Sequence, residues 1–503
     1  MDNEKQLIGL RKQKLNNLLK MGIDPYPEKS KRTKKIGELF LDKDSLVKSE
    51  AEVVVCGRIR ALRRQGKIGF GNIEDDSGRI QFYISKADVE DNNYEVFKLS
   101  DLGDIVQIRG SMFHTKTGEY TLKCAHFTIL CKTMRPLPTV KEKKVDGKTK
   151  RYDIFADTEL RYRKRYLDLI LNPQVKQTFI IRSKIISSFR RILEKKGFLE
   201  VETPVLQPLY GGANAKPFTT FYNKLNEKFY LRIATELYLK RLVIGGIERV
   251  YEIGKNFRNE GMDKNHNPEF TSLEVYQAYS DLDQMACLTE DLINKTAKSV
   301  LGRETLKFQG ETISLSAPFK RASMLGLIES FTGENFSDFD FSKCERFCRQ
   351  QNIEIEKSDG VGSLIAKIFD KFVEHKLIQP TFVFDYPLEI SPLAKTKFDN
   401  DLLVHRFELF IGGREFANAF SELNDPQEQF RRLSAQAQKR KLGDEEANVL
   451  DKDFIEALEY GMPPSGGMGL GMDRLIMLLT ANESIKDVLF FPQMRSVSAK
   501  NSK

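Results

Sequence analysis

The amino-acid sequence predicts an α+β protein in which a small β-barrel precedes a larger domain of mixed helices and strands. Residues 53–130 contain short segments with strand-like alternation, separated by turn signals such as DSG at 76–78 and KTG at 116–118. Further along, residues 176–196 carry apolar side chains at helical spacing, and Gly197 follows as a stop. The change of period along the chain therefore indicates two domains of different type.

Five strands at this spacing predict a closed barrel, and the OB-fold is the natural interpretation. An SH3-like or another small barrel remains the alternative. One face of an OB barrel binds single-stranded bases through aromatic and amide side chains. We therefore expect Phe70 and Phe82 to stack on bases and Gln81 to hydrogen-bond a base edge.

The chain is expected to divide into four segments: a helical N-terminal extension at 1–50, the barrel at 51–140, a linker at 141–165 and the mixed domain at 166–503, which contains a helical insertion at about 320–380. The linker begins with KEKKVDGKTKR at 141–151, which has six basic and two acidic residues. We interpret this stretch as a solvated connection, and contact with an RNA backbone is the alternative.

Composition narrows the class of protein and of partner. Lys and Arg number 80 against 71 Asp and Glu, and the net charge of +9 favours a polyanionic partner. The six cysteines form no CxxC pair, so we expect reduced thiols and no zinc site. The polar N-terminus and the lack of an apolar run of about 18 residues predict a cytoplasmic protein without a membrane span.

The most informative stretch is RVYEIGKNFRNEGMDKNHNPEFTSLE at 249–274, which predicts a strand, a polar loop and a second strand. Alternation along the second strand places Phe270, Ser272, Glu274 and Tyr276 on one face. A carboxylate and a phenol on that face are costly for a core and useful for a polar ligand. A plain β-hairpin with a charged tip is the alternative.

A second polar hairpin is predicted in HRFELFIGGREFANAFSELNDP at 405–426. If GG at 412–413 is a two-residue turn, Glu415 pairs with Phe410, and Glu408 lies diagonally opposite Glu415 on the same face, within about 7–8 Å. Two carboxylates at that separation repel each other, and Mg²⁺ bridging nucleotide phosphates would relieve the repulsion. The alternative is a surface hairpin with scattered acids.

Strand alternation does not place all of the polar residues at 415–422 on the same face. Asn418, Phe420 and Glu422 share one face, whereas Glu415 is out of phase with them. All four side chains can line one pocket only if a β-bulge intervenes near residues 416–417. The sequence therefore predicts a bulge at that point.

Two glycine- or proline-bearing segments frame these hairpins. GMPPSGGMGLGMDRLIMLLT at 461–480 has glycines that let a backbone approach a ligand closely, and Arg474 then opens an apolar helix where phosphate can bind. GFLEVETPVLQP at 197–208 predicts a helix end, a strand and then Pro204.

In their order along the chain, the segments 197–208, 249–274, 405–426 and 461–480 resemble class II aminoacyl-tRNA synthetases. The segment 197–208 is similar to motif 1, 249–274 to motif 2 and 461–480 to motif 3. Nearly the whole chain resembles the bacterial-type lysyl-tRNA synthetases of that class, notably in RYRKRYLDLI (161–170), GGANAKPF (211–218), ATELYLKRL (234–242) and QPTFVFDYPLEISPLAK (379–395). The resemblance implies an antiparallel catalytic sheet flanked by helices, a homodimer formed through motif 1, about three Mg²⁺ per subunit, and ligation of L-lysine to tRNA(Lys) with ATP.

The resemblance also implies residue roles. The catalytic side chains would be Arg258 and Arg474. The ATP site would comprise Arg258, Glu260, His266, Asn267, Phe270, Glu408, Glu415 and Arg474, with Glu408 and Glu415 holding Mg²⁺. Lysine would be held at its α-ammonium by Glu236 and the loop containing Gly212, at its carboxylate by Arg258 and Asn418, at its ε-ammonium by Glu274, Tyr276 and Glu422, and along its stem by Phe420. The anticodon bases would meet Phe70, Gln81 and Glu119.

Lysine is also the substrate that the chemistry favours, because buried carboxylates are the best partners for an ammonium group. An aspartyl or asparaginyl enzyme should offer Arg or Lys in place of Glu274 and Glu422. A catalytically inactive synthetase fold that only binds nucleic acid is disfavoured, because Arg258 and Arg474 are both present. A relative that lysylates a translation factor is disfavoured by the presence of the barrel.

Overall fold

The computed structural model describes residues 2–138, 141–145, 148–152, 155–441 and 448–496. The chain divides into two compact units, Met1–Asp157 and Thr158–Lys503. The division falls within the linker expected at 141–165, while the other domain boundaries remain predictions. Residues 146–147 and 153–154 of that linker lie outside the described residues.

The first unit is a closed five-stranded barrel with short helices, as the sequence predicts. Its strands follow the order β1-β2-β3-β5-β4 around the barrel, and the predicted turns at 76–78 and 116–118 join β2 to β3 and β4 to β5. The strands are β1 (Val53–Gln65), β2 (Ile68–Glu74), β3 (Arg79–Ser85), β4 (Ile105–His114) and β5 (Tyr120–Cys131). The helices are α1 (Asp2–Lys20), α2 (Ile36–Leu41), α3 (Lys43–Ser49) and α4 (Asp91–Leu99). Beyond the barrel, β6 (Lys141–Val145) and β7 (Lys148–Tyr152) pair antiparallel within the expected linker.

Aromatic packing closes the barrel interior. The Phe82 ring centre lies 6.2 Å from that of Phe97 and 6.0 Å from that of Phe127, and all three side chains are buried. Our expectation that Phe82 stacks on a base is therefore wrong. Strand alternation turns Phe82 inward and leaves its neighbours Gln81 and Tyr83 on the outer face.

The second unit is built on an eight-stranded sheet in the order β16-β17-β18-β19-β20-β13-β12-β8. Its sheet strands are β8 (Leu199–Glu200), β12 (Arg249–Phe257), β13 (Glu269–Ala278), β16 (Lys320–Ser323), β17 (Thr381–Pro387), β18 (Leu403–Ile411), β19 (Arg414–Ser421) and β20 (Ser465–Gly471). Smaller sheets contain β9 (Leu206–Gln207), β10 (Thr219–Tyr222) and β11 (Glu227–Leu231), and β14 (Thr305–Phe308) with β15 (Glu311–Ser314).

The helices of the second unit flank this sheet. They are α5 (Thr158–Arg163), α6 (Arg165–Leu171), α7 (Pro173–Lys195), α8 (Glu236–Ile244), α9 (Leu282–Thr296), α10 (Met324–Thr332), α11 (Phe341–Gln350), α12 (Val361–Phe372), α13 (Pro426–Lys441), α14 (Lys452–Glu459), α15 (Met472–Leu479) and α16 (Ile485–Val488). Single turns of π- or 3₁₀-helix occur at Ala297–Leu301, Glu374–Lys376 and Leu388–Ile390. Three of the helices, α10 to α12, lie within the segment where we expect a helical insertion.

The sheet is antiparallel through its six central strands, but both edge pairings are parallel. Strand β8 runs parallel to β12, and β16 runs parallel to β17. The expected antiparallel sheet is thus present in the six central strands, and the two parallel edge pairings make the whole sheet mixed. Both edge strands are short, four residues or fewer, so their direction had no strong pattern in the sequence.

The antiparallel centre of the sheet determines where the polar residues meet. Strand β20 lies between β13 and β19, so that Gly469 pairs with Glu274 on one side and with Asn418 on the other. The opposite face of the sheet packs against apolar residues of α7, α9 and α15. Among the described helices, none is both long enough and apolar enough to cross a membrane.

Candidate active site

A cavity of about 410 Å³ lies over the central strands of the second unit. It is lined by nearly all of the residues that the sequence singles out there: Gly212, Glu236, Arg258, Glu260, His266, Asn267, Phe270, Glu274, Tyr276, Glu408, Glu415, Asn418, Phe420 and Arg474. The residues come from five separate stretches of the chain, so their convergence is a product of the fold. Glu422 is the exception among the expected residues, because it lies behind the cavity wall.

The hairpin β12–β13 supplies the arginine end of the cavity. The Arg258 guanidinium lies 5.1 Å from the centre of the Phe270 ring, and its buried Nε has no hydrogen-bond partner among the described residues. A buried guanidinium nitrogen without a partner is costly unless a ligand supplies the acceptor. The geometry therefore suits binding of an anion at this position.

The loop of this hairpin meets the helix that follows the glycine-rich strand. Arg474, in the first turn of α15, has Nη2 3.3 Å from Nε2 of His266 and donates from Nη1 to the Glu415 carbonyl oxygen at 2.8 Å. Glu260 is exposed at the cavity mouth. The Asn267 side chain, by contrast, donates to the Glu269 carbonyl and accepts from the backbone of Gln493, so it holds the loop in shape.

The second hairpin confirms the register argued from the sequence. Gly412 and Gly413 form the turn with φ of +59° and +69°, and Glu415 pairs with Phe410. The pairing then shifts by one residue, which leaves Phe416 as the extra residue of a β-bulge. After the bulge Asn418 lies opposite Glu408, so both hairpin strands present polar side chains to the cavity.

Carboxylates collect at the end of the cavity formed by this hairpin. Glu408 accepts hydrogen bonds from Arg406 Nη2 at 2.5 Å and from Tyr386 Oη at 2.8 Å, and burial together with Glu415 raises its pKa. Burial and the nearby Glu374, Glu408 and Glu415 raise the pKa of Asp370 to about 7. Arg406 and Arg474 compensate only part of the negative charge of these four acids, and a divalent cation would compensate more of it.

This set of oxygen donors fits Mg²⁺ better than a transition metal. The two acidic donors that line this end of the cavity, Glu408 and Glu415, are carboxylates, and carboxylate oxygens suit Mg²⁺. Within the described ranges, no group of three or more His, Cys, Asp and Glu side chains forms a complete metal site. A Mg²⁺ ion held by one or two carboxylates and by substrate phosphates does not need such a group.

The opposite end of the cavity is acidic and more deeply buried. Glu274 accepts a hydrogen bond from the backbone of Thr235 at 3.2 Å, and Tyr276 Oη lies 3.4 Å from its second oxygen. Burial, with a contribution from Glu236, raises the pKa of Glu274 to about 6. Gly212, with φ of +85°, passes so close to Glu236 that an added Cβ would lie 3.0 Å from the Glu236 Cβ.

Glu422 does not line the cavity, contrary to expectation, because its carboxylate is buried beneath Gly467. One oxygen, Oε2, forms an ion pair with the ammonium nitrogen of Lys240 at 2.5 Å, and neither this oxygen nor Oε1 has a hydrogen-bond partner among the described residues. A Cβ on Gly467 would lie 2.0 Å from that Oε1 atom. Since Gly467 itself lines the cavity, the carboxylate reaches the wall only through the space that the glycine leaves open.

Two charged residues of the site were missed from the sequence. Lys240 is fully buried between Glu236 and Glu422, although its spacing from Glu236 is also that of an exposed i,i+4 pair. Arg406 donates to Asn418 Oδ1 at 3.1 Å. It pairs with Phe420 on the neighbouring strand, and its guanidinium lies 5.6 Å from the centre of the Phe420 ring. Arg406 and Glu408 are two residues apart on one strand, so alternation places both on the same face, and this spacing could have identified Arg406 from the sequence.

The barrel of the first unit carries an aromatic row on its outer face. The Phe70 and Tyr83 ring centres are 5.1 Å apart, and Tyr83 is 6.2 Å from Phe113. Gln81 donates to Thr121 Oγ1 at 2.9 Å, and Glu119 is exposed in the turn before β5. The expected residues Phe70 and Gln81 thus share a face, and Tyr83 adds a ring that sequence analysis did not single out.

Comparison with known proteins agrees with this geometry. Residues 157–495 match the model of the family described as tRNA synthetases class II (D, K and N), and residues 53–130 match the OB-fold nucleic acid binding domain. The chain belongs to the class II tRNA synthetase family. The first unit is correspondingly an OB-fold barrel.

Relatives of similar length match nearly the whole chain. A lysine–tRNA ligase of Carboxydothermus hydrogenoformans is 49% identical over 97% of this chain and 98% of its own length. The lysine–tRNA ligase of Bacillus subtilis is 46% identical, with 97% of each chain covered. One from Lactococcus lactis is 47% identical, over 97% of this chain and 98% of its own.

Proposed function

We propose that this protein activates L-lysine with ATP and transfers the lysyl group to tRNA(Lys), releasing pyrophosphate and AMP. The observation that carries the proposal is the buried acidic end of the cavity, where Glu236, Glu274 and Glu422 converge near Tyr276. Carboxylates in a sheltered pocket select a cation, because an unpaired buried charge is costly. The Lys240 ammonium does not make the pocket selective for aspartate, because Glu236 and Glu422 already pair with it.

In the first step, a carboxylate oxygen of lysine attacks the α-phosphorus of ATP, and the bond to pyrophosphate breaks. Arg258, with a buried nitrogen that lacks an acceptor among the described residues, would contact both the lysine carboxylate and the α-phosphate. Phe270 would stack on the adenine, and Glu260, His266, Asn267 and Arg474 would position the nucleotide. Asn418 would share the lysine carboxylate, and no side chain acts as a nucleophile.

Glu408 and Glu415 would hold Mg²⁺, and about three ions per subunit is our proposal for the number bound. When bound, Mg²⁺ neutralises phosphate charge and helps pyrophosphate to leave. Arg406 and Tyr386 keep the Glu408 carboxylate in a fixed position. The hairpin thus presents both acids to the phosphate end of the cavity.

At the other end, Glu236 and the loop containing Gly212 would hold the α-ammonium of lysine. Glu274, Tyr276 and Glu422 would take its ε-ammonium, and Phe420 would wall its stem. In the second step a 3′-terminal ribose hydroxyl of the tRNA attacks the lysyl carbonyl carbon, and AMP leaves. On the barrel, Phe70, Gln81 and Glu119 would bind anticodon bases.

We also propose that the enzyme is a cytoplasmic homodimer. The segment that resembles motif 1, with the small sheet after it, exposes a group of large apolar side chains: Leu199, Val205, Leu206, Leu209, Phe221, Tyr222 and Leu225. Apolar side chains concentrated in this way are typical of a protein–protein interface. Strand β8 is also a free edge of the large sheet.

Aminoacylation of unfractionated tRNA with radiolabelled amino acids tests the proposal. We expect lysine to be transferred to tRNA in the presence of ATP and Mg²⁺, and aspartate and asparagine to be transferred at background levels. Transfer of aspartate or asparagine instead of lysine would contradict the substrate assignment. Lysine transfer that does not depend on ATP would contradict the mechanism.

A further inference from the structure

Lys240 of α8 is a fully buried cation that none of the proposed steps uses. Its ammonium nitrogen lies 2.6 Å from Glu236 Oε1 and 2.5 Å from Glu422 Oε2, and 6.0 Å from the centre of the Tyr276 ring. Burying an ammonium group costs several kcal/mol unless carboxylates pair with it. Lys240 lies between two protein carboxylates that are proposed to bind the substrate, and this position therefore requires a functional explanation.

Lys240 divides the two oxygens of Glu422 between two tasks. Oε2 forms the ion pair with the Lys240 ammonium at 2.5 Å, whereas Oε1 lies at the cavity wall beside Gly467, and neither oxygen has a hydrogen-bond partner among the described residues. A carboxylate can accept hydrogen bonds at both oxygens, so the free one remains available to a second ammonium group. The pair thus fixes one oxygen and leaves the other for the ligand.

The charges in this end of the cavity match lysine only when Lys240 is counted. When all three are ionised, the carboxylates of Glu236, Glu274 and Glu422 together with the Lys240 ammonium leave two uncompensated negative charges. Free lysine brings two ammonium groups, and its own carboxylate is directed to Arg258. Without Lys240, the site would hold one more negative charge than lysine can neutralise.

We propose, resting on the function proposed above, that Lys240 is a resident counter-ion that positions Glu422 and sets the charge of the lysine site. It acts through Glu422, and it is a positioning residue that makes no contact with the reacting atoms. In this role it determines how tightly the enzyme binds lysine at neutral pH.

The pKa values of the surrounding groups predict the direction in which lysine binding changes with pH. Burial, together with Glu236 and Glu274, raises the pKa of Glu422 to about 8 against the opposing effect of Lys240. The other group facing them, the Tyr276 phenol, has its pKa raised well above its ordinary value and stays neutral. Because ammonium binds the ionised carboxylate, lysine binding should tighten as pH rises from 6 to 8.

The test compares Lys240→Met with Lys240→Arg in lysine-dependent ATP–pyrophosphate exchange between pH 6 and 9. Removing the ammonium should move the fall in lysine KM to higher pH and raise that KM about tenfold at pH 7, the equivalent of one pKa unit. The KM for ATP should not change. Lys240→Arg, which keeps the charge, should restore much of the wild-type pH profile.

The neighbour Arg241 provides the matched control. It pairs with Asp451 and Asp453 at 2.8 Å each and does not line the cavity, so Arg241→Met should keep the wild-type pH profile. If Lys240→Met folds poorly, the comparison of Glu422→Gln with Glu422→Gln/Lys240→Met replaces it. Once Glu422 cannot ionise, removal of Lys240 should produce little further shift.

A wild-type KM and pH profile in Lys240→Met, or an undiminished further shift in the double variant, would overturn the inference. In either case wild-type exchange with lysine would leave the proposed function standing. Failure of the wild-type protein itself to exchange with lysine would overturn the function instead. The two outcomes are thus distinguishable in one set of measurements.

Discussion

Arg258 is the residue on which both halves of the proposed first step converge. Its guanidinium lies over the Phe270 ring and has a buried nitrogen that lacks a partner among the described residues. We expect Arg258→Ala to slow lysine-dependent exchange by about 10²–10³-fold, as loss of a charge-stabilising donor does. Exchange kinetics check this, with the exposed surface substitution Arg303→Ala as control. Near-normal exchange in folded Arg258→Ala would remove Arg258 from the mechanism.

Gly467 is predicted to be intolerant of any side chain. A Cβ there would lie 2.0 Å from Glu422 Oε1 and 2.5 Å from Tyr276 Cε1, so both groups would have to move. We expect Gly467→Ala to raise the lysine KM by about tenfold or more, consistent with about 1–3 kcal/mol of overpacking. Lysine titration in the exchange assay checks this.

Gly469, two residues along the same strand, is the control for that prediction. An added Cβ there would lie 3.9 Å from Glu274 Cγ and 4.0 Å from the Asn418 carbonyl oxygen, and both are ordinary contacts. Gly469→Ala should therefore change the lysine KM much less. Equal effects of the two substitutions would show that the strand, and not the space beside Glu422, is sensitive.

At the scale of single residues, the sequence predicted which side chains share a face of a strand but not how deeply each side chain is buried. Alternation along β13 correctly placed Glu274 and Tyr276 on a shared face. It could not show that Glu422 lies behind Gly467, or that Lys240 is buried, because both depend on how distant segments pack around the sheet, with α8 lying on β12 and β13. Side-chain depth is a property of the packed layers and has no period of its own in the sequence.

At the scale of elements, the β18–β19 hairpin shows what local rules can predict. Two glycines with positive φ fix the turn, and the turn fixes the register. The bulge at Phe416 was predicted because the polar residues could not otherwise share a pocket. The parallel edge strands were not predicted, because their direction follows from distant pairing and not from any turn.

The barrel gives the sharpest prediction for an element, because it should act separately from the catalytic site. Gln81 lies on the outer face beside the row formed by Phe70 and Tyr83. We expect Gln81→Ala to raise the KM for tRNA by about tenfold, through loss of roughly 1–3 kcal/mol of base recognition. Exchange without tRNA should remain unchanged, and its loss would mean that the barrel is not a separate tRNA-binding module.

At the scale of the whole molecule, dimerisation is predicted to depend on the apolar surface of residues 199–225. Leu206 is 53% exposed, and a carboxylate at that position would be buried without a partner in an interface. We expect Leu206→Asp to be a monomer by light scattering, whereas Leu41→Asp on α2, 83% exposed and outside this surface, stays dimeric. A dimeric Leu206→Asp would place the interface elsewhere.

A class II site with an acidic pocket should activate lysine, and amino-acid-dependent ATP–pyrophosphate exchange measures that activation. The assay should be run without tRNA against each of the twenty amino acids, with Mg²⁺ present. Exchange with lysine alone is the predicted result. Exchange with aspartate or asparagine, or no exchange by the folded protein, would contradict the account.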